Sequence, residues 1–303
     1  MTSSLSALVS RDRLLEHLRA LEGERHPFDS PERLARAQRY VGDQLRQAGL
    51  DVHLDDVSYL GQSFVNVLAR PVAVEETQPR LIVGAHLDTV PGTPGADDNT
   101  SGLAVMLETA RVIMAHRPPA PANSRRAGPQ APVEFAAFTL EEVGMLGSGH
   151  YAARLKRQGV SLLGMVSLEM VGFTESEGRQ QYPPLLKRFF PPVGNFIGLA
   201  ANPRSKPLLQ AVASAMRAIP GLPVETIVLP MNGWVVPESR LSDHSPFWDA
   251  GYQALLITDT AFLRNPHYHQ PTDTIETLDL EFLERVCQGL VAAVDAVTAA
   301  STS

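Results

Sequence analysis

Leu14, Leu15, Leu18 and Leu21 recur at three-to-four spacing between Arg11 and Leu21, the period of one helical face. A second helix is expected from Pro31 to about Ala48. Ser30 stands at its N-cap position, Pro31 fits the first turn, and Gly49 closes it. Two short strands are expected near Val52 to Tyr59 and Phe64 to Ala69. Leu81 to Ala85 is an apolar run that reads as a buried central strand. Helix Ser101 to Ala115, strand Val133 to Leu140, helix Ser148 to Gln158 and strand Met165 to Leu168 follow. Strand Phe196 to Leu199, helix Lys206 to Ala218, and strands Val224 to Val228 and Ala254 to Thr258 come next. The last helix, Leu280 to Ala300, places Phe282, Val286, Leu290 and Val294 on one face.

Alternating strands and helices predict an α/β fold: a doubly wound, mostly parallel central sheet with helices on both faces. One catalytic domain over residues 1–303 is expected, with the N-terminal helices of residues 10–49 packed on it. Two stretches break the pattern. Residues 117–132 hold five prolines and read as a surface insert without chemistry. Thr174 to Asn195 is polar, aromatic and Pro-rich, and reads as a flap over a cleft whose other side is Leu229 to Trp234.

Composition narrows the function classes. The net charge of −7 is spread out, no basic patch stands out, and the short basic cluster Arg125-Arg126 lies in the Pro-rich stretch. That argues against nucleic acid as partner. No apolar run reaches the roughly 18 residues of a membrane span, so no membrane partner is expected. The N-terminus lacks a basic start and a long apolar run, so the expected location is cytoplasmic, unless a leader has been trimmed. The single cysteine, Cys287, sits on an apolar helix face and reads as a buried thiol. A monomer or weak oligomer is expected.

The chemistry concentrates just past strand ends, where sites form in open α/β sheets. His86 and Asp88 follow the Leu81 to Ala85 run. Asp97-Asp98 stands in a Gly-rich turn before a helix, where paired carboxylates repel unless a cation is near. Glu141-Glu142 ends one strand and Glu169 another; His267 and His269 stand in a turn. Imidazole with carboxylate, and almost no thiol, is ligand chemistry suited to hydrolytic zinc. Asp88 is placed to orient His86 through the far ring nitrogen. Of a carboxylate pair, one can bind metal while the other takes a proton from water.

Gly84-Ala-His-Leu-Asp88, Pro94-Gly-Ala-Asp-Asp-Asn-Thr-Ser-Gly102, Thr139-Leu-Glu-Glu-Val-Gly144 and Tyr268-His-Gln-Pro-Thr-Asp-Thr274 resemble the co-catalytic di-zinc aminopeptidases of metallopeptidase family 28. The resemblance covers roughly Leu81 to Leu280. It implies the zinc-exopeptidase version of the doubly wound fold and two Zn2+ per chain. His86 and Glu169 would hold one ion, Glu142 and His269 the other, with Asp97 bridging. It also implies Glu141 as general base, Asp88 as the residue orienting His86, and a cis peptide between Asp97 and Asp98. Tyr268 matches a position that some relatives use to hydrogen-bond a developing oxyanion. Arg240 and Ser242-Asp243-His244 are similar to a family segment near the substrate.

The chain departs from the family at Glu169, where the aminopeptidases usually carry Asp. The implied activity is release of an N-terminal residue from a peptide with a free N-terminus. A glutaminyl-peptide cyclotransferase is the alternative, although such relatives generally lack the second Asp of Asp97-Asp98 and tend to carry Trp where Tyr268 stands. A related carboxypeptidase or deacylase is a further alternative, and a non-catalytic binding module the most remote. Phe173, Met231, Trp234, Tyr252 and Phe262 are candidate walls of an apolar, leucine-like pocket.

Overall fold

The computed structural model describes residues 5–72, 74, 78–117, 131–183 and 186–300. The Pro-rich insert and its Arg125-Arg126 pair lie outside the described residues from 118 to 130.

Helix α1 (Arg11–Leu21) is capped by Ser10, whose hydroxyl accepts from the Arg13 amide. Helix α2 (Pro31–Gln47) starts at Ser30 as expected, but the Ser30 side chain makes no cap bond; its carbonyl oxygen accepts from Arg33 and Leu34 instead. Gly49 closes α2 with φ +87°, a left-handed conformation that favours glycine. The strands are β1 (Leu50–Tyr59), β2 (Gln62–Pro71), β3 (Arg80–His86), β4 (Val133–Phe138), β5 (Leu162–Glu169), β6 (Ile197–Ala201), β7 (Val224–Val228) and β8 (Ala254–Thr258). The remaining helices are α3 (Gly102–His116), α4 (Leu146–Arg157), α5 (Lys206–Arg217), α6 (His244–Asp249) and α7 (Leu280–Ala300).

All eight strands form one sheet in the order β1-β2-β4-β3-β5-β8-β6-β7. The pairings β3–β4, β3–β5, β5–β8 and β6–β7 are parallel. The pairings β1–β2, β2–β4 and β6–β8 are antiparallel. The sheet is therefore mixed, a correction to the mostly parallel expectation, while the α/β class stands. β1 and β2 are joined by a tight turn at Leu60-Gly61, and such a hairpin must pair antiparallel.

Alternate residues of each strand face opposite layers. On one face, Val83, Phe135, Val166, Leu199 and Ile257 join Leu14, Leu45, Val105, Val212 and Leu290 of α1, α2, α3, α5 and α7 in the main core. Cys287 lies in it, and burial pushes its thiol pKa up. On the other face, Ile82, Ala136, Phe138 and Met165 pack on Tyr151 and Leu155 of α4 and on Phe247 and Trp248 of α6. These two helices stop short of β6 and β7. There the second face carries only a small cluster, Ala200, Leu229 and Leu256, with Ile227 and Val236 packed against it.

Candidate metal centre

β3, β4 and β5 deliver the predicted residues to one end of the sheet. His86 is the last residue of β3 and Glu169 the last of β5; Glu141 and Glu142 follow β4. Asp98 reaches the same place from the turn before α3, and His269 from the loop after β8. His86 Nε2 lies 3.2 Å from Asp98 Oδ1, and His269 Nε2 lies 3.2 Å from Asp98 Oδ2. Glu169 Oε2 is 3.4 Å from His86 Nε2, and Glu142 Oε2 is 3.2 Å from His269 Nε2. Glu141 Oε2 stands farther off, 4.0 Å from His86 Nε2.

Two readings of the sequence change here. Asp98, not Asp97, lies between the imidazoles. Asp97 points away: its Oδ1 accepts from the Gly172 amide and its Oδ2 from Asn265 Nδ2. The cis peptide accordingly joins Asp98 to Asn99. The backbone turns sharply at Asp98 (φ −100°, ψ 88°), so neighbouring carboxylates diverge. The second change concerns Asp88. Its carboxylate does not touch the His86 ring; Oδ1 accepts from the Glu141 amide and Oδ2 from the Glu142 amide. The backbone carbonyl of Asp88 instead accepts from His86 Nδ1 at 3.0 Å. A carbonyl can only accept, so Nδ1 carries a proton, and Nε2 is the ring nitrogen that faces Asp98 and Glu169.

Further residues, assigned no supporting role from the sequence, hold the turn and its neighbours. Asp273, in the Thr-Asp-Thr turn after His269, accepts from the Asp97 and Asp98 amides. Arg25 is buried, and its guanidinium donates to the carbonyls of Leu21, Gly23, Leu87, Pro94 and Gly95. Ser242 donates to Glu169 Oε2 at 2.8 Å. Asp273 and Ser242 stood inside segments that the sequence displays; Arg25 did not. His267 bonds Thr272 and sits edge-on to Phe173, away from the cluster. Arg240 pairs with Asp249 and lies over the Trp234 ring. His244 is buried and bonds the Ser239 carbonyl; burial brings it down to about 3.

Electrostatically the cluster is costly. Burial pushes Glu141 well above the carboxylate range, and the nearby charges of Glu169, Asp243 and Glu142 add to this against His86. Burial, then Asp98, lifts Glu142 to about 7. Burial opposes charge on His269, but Asp98 and Glu142 outweigh it and raise the ring to about 10. Asp243, buried beside the cluster, is lifted to about 7 by burial.

The residues fit a metal. Asp98 Oδ1, Glu142 Oε1 and His269 Nε2 are buried polar atoms with no hydrogen-bond partner, despite approaches of 3.2 Å between their residues. Unpaired buried groups of this kind are destabilising without a ligand. Among the described residues, three groups converge with ligand atoms within 4.8 Å of one another: His86, Asp98 and Glu169; Asp98, Glu142 and His269; and His86, Glu141 and Glu142. Asp98 is shared by the first two. Imidazole nitrogen with carboxylate oxygen is a donor set that zinc accepts.

A cavity opens from the cluster. Glu169 and Tyr268 line it, with Tyr182, Pro183, Leu186 and Phe190 of the expected flap and Leu229 opposite. Of the five expected wall residues only Phe262 lines it. Met231 and Trp234 are exposed, Phe173 sits against His267, and the Tyr252 hydroxyl bonds the Val160 carbonyl. Exposed aromatics and core aromatics look alike in a sequence, which is why the list misled. Tyr268 stacks on His269 with ring centroids 3.7 Å apart, and burial raises its pKa. No helix among the described residues is long and apolar enough to cross a membrane.

The sequence profile of peptidase family M28 matches residues 66–294. An uncharacterized protein of Escherichia coli, YfbL, is 31% identical over 93% of this chain and 87% of its own length. A probable leucine aminopeptidase of Trichophyton verrucosum is 26% identical over 93% of this chain and 72% of its own. Among solved structures, the LapA aminopeptidase of Legionella pneumophila superimposes with TM-score 0.76 at 18% identity, over 98% of this chain and 74% of that one. BSAP, a zinc aminopeptidase from Bacillus subtilis, gives 0.56 at 27% identity over 78% of this chain and 50% of that one. The glutaminyl cyclase of Porphyromonas gingivalis gives 0.67 at 19% identity, over 97% of this chain and 99% of that one. The fold is thus common to peptidases and a cyclase, and the site has to distinguish them.

Proposed function

The chain belongs to peptidase family M28, and from that membership we propose that it is a zinc aminopeptidase releasing an N-terminal residue from peptides. The observation that carries this reading is Asp98 standing 3.2 Å from each of two imidazoles. His86, Asp98 and Glu169 would hold one ion; Asp98, Glu142 and His269 would hold the second. When bound, zinc supplies Lewis-acid chemistry: it polarises a carbonyl and acidifies water.

The protein's own groups do the rest. Glu141 is the general base, taking a proton from the attacking water and passing it to the departing amine. Burial raises its pKa above the ordinary carboxylate range, the direction that favours taking up a proton. Asp88 fixes the Glu141-Glu142 backbone through both amides, so the base and the neighbouring ligand keep separate positions. The Asp88 carbonyl sets the His86 tautomer. Tyr268, stacked on His269 at the cavity wall, is placed to donate to developing negative charge on the substrate carbonyl. Carboxylates at the cavity entrance favour a free α-amine.

The test compares leucine p-nitroanilide with its N-acetyl derivative. The reading expects the free amine to be turned over at least tenfold faster. Equal rates would point to another amidohydrolase, and ring closure of a glutaminyl peptide without release of a residue would point to a cyclase.

A further inference from the structure

The cavity that opens at Glu169 has a charged residue at its far side, outside the metal centre. Its floor is the sheet face that α4 and α6 leave uncovered. Leu256 and Thr258 of β8, Gly198 and Ala200 of β6, and Glu225 and Ile227 of β7 line it. The register places four residues in one row across the strands. Glu169 pairs with Thr258, Thr258 with Gly198, and Gly198 with Glu225. Residues paired in this way point to the same face. Three strand spacings put the Glu169 and Glu225 backbones about 14 Å apart. Gly198 has no side chain of its own to rise from the floor between Thr258 and Glu225, although the Thr260 methyl lies 3.6 Å from where a Cβ would stand.

The walls between these carboxylates are Tyr182, Leu186, Phe190, Leu229 and Phe262, which are apolar apart from one hydroxyl. That hydroxyl is spent on the Pro191 carbonyl. Glu225 is half-buried, and among the described residues its carboxylate makes no ion pair or hydrogen bond. Arg217 is turned to the Val224 carbonyl and Thr226. Arg264 donates to Gln180 and to the Phe173 and Phe196 carbonyls. A half-buried carboxylate facing an apolar channel lacks the cation that would offset its desolvation.

We propose that this cavity receives an N-terminal side chain with an aliphatic stem and a cationic tip, lysine or arginine, with Glu225 as the specificity-determining residue. The inference rests on the aminopeptidase reading for the position of the α-amine, beside Glu169. From there the stem runs over Gly198 against the apolar walls, as lysine and arginine stems do, and the tip meets Glu225. Glu238 lines the same cavity at its exposed rim and adds a second negative charge. The apolar expectation drawn from the sequence then describes the stem alone.

The experiment compares kcat/KM for lysine and norleucine p-nitroanilides, which share a four-carbon stem and differ in the terminal amine. The native enzyme is expected to favour lysine by about tenfold, the scale of one partly desolvated ion pair. Glu225→Gln should bring the ratio close to one, and Glu225→Lys should invert it. Norleucine matching or exceeding lysine in the native enzyme, or a ratio untouched by either substitution, would overturn the proposal. Calorimetric binding of lysinamide and norleucinamide reads the same pocket without turnover. Discrimination in binding with no hydrolysis would uphold the pocket and sink the aminopeptidase reading; hydrolysis without discrimination would do the reverse.

Discussion

At the residue scale the site separates carboxylates that the sequence presents in pairs. Glu142 faces His269, while Glu141 stands off from both imidazoles. Glu141→Gln is therefore expected to lower kcat by at least ~100-fold with zinc content maintained, the scale of a lost general base. Glu142→Gln should instead deplete zinc. Kinetics and elemental analysis on the same preparations check this, and equal zinc loss in both would show the roles misassigned. Asp97 and Asp98 separate in the same way. Asp98→Asn should abolish tight zinc binding. Asp97→Asn should keep more zinc but lose stability, by roughly 1–3 kcal/mol for a broken buried hydrogen-bond set. Denaturant titration beside zinc analysis distinguishes them. The motif marked this turn as the site, but two adjacent aspartates are chemically identical in a sequence. Which one faces the imidazoles is set by the backbone turn at Asp98 and by Asp273, 175 residues away in sequence from Asp98.

At the element scale, regular segments were legible and tertiary choices were not. α1, α7, β7 and β8 have the bounds that their apolar patterns predict. α6 is six residues long with Pro246 inside it, too short to display a helical period. The antiparallel β6–β8 pairing joins strands 57 residues apart, and no local pattern encodes its direction. The turn that carries Asp98 depends on Gly95, at φ +64°. A Cβ there would stand 2.5 Å from the Asp98 carbonyl oxygen and 2.5 Å from Thr89 Cγ2. Gly95→Ala is expected to cost upward of about 1 kcal/mol and to weaken zinc binding, because the strain falls on the ligand's own backbone. Thermal melts with and without zinc check it: a smaller zinc-induced gain in Tm than in the native protein is the expected outcome, and an equal gain would contradict it.

At the scale of the whole molecule, the two faces of the sheet do different work. One is sealed by α1, α2, α3, α5 and α7 into the main core. The other is sealed only partway, and the uncovered end becomes the cavity beside the metal centre. The sealed side contains a titratable group that is not part of the metal centre. His17 is buried, bonds the Tyr40 hydroxyl, and is brought down to about 4, by burial first and then by Arg13 and Arg111. Folded His17 thus stays neutral where an unfolded histidine, at about 6.5, takes up a proton. Its contribution is fully present above pH 6.5 and is lost as pH falls toward 4, by at most about 3 kcal/mol. Urea titrations of native protein and His17→Gln, both freed of zinc, are expected to show a stability gap that narrows between pH 7 and 4.5. A constant gap would mean that His17 does not titrate differently on unfolding.

The central claim is a metal centre in which Asp98 joins two ions. Zinc titration of the metal-free protein, with bound zinc and peptidase activity read at each step, tests it most directly. Two equivalents per chain are expected at saturation, with full activity only when the second is bound, and neither should bind tightly to Asp98→Asn. Saturation at one equivalent with full activity, or normal zinc uptake by Asp98→Asn, would contradict the account.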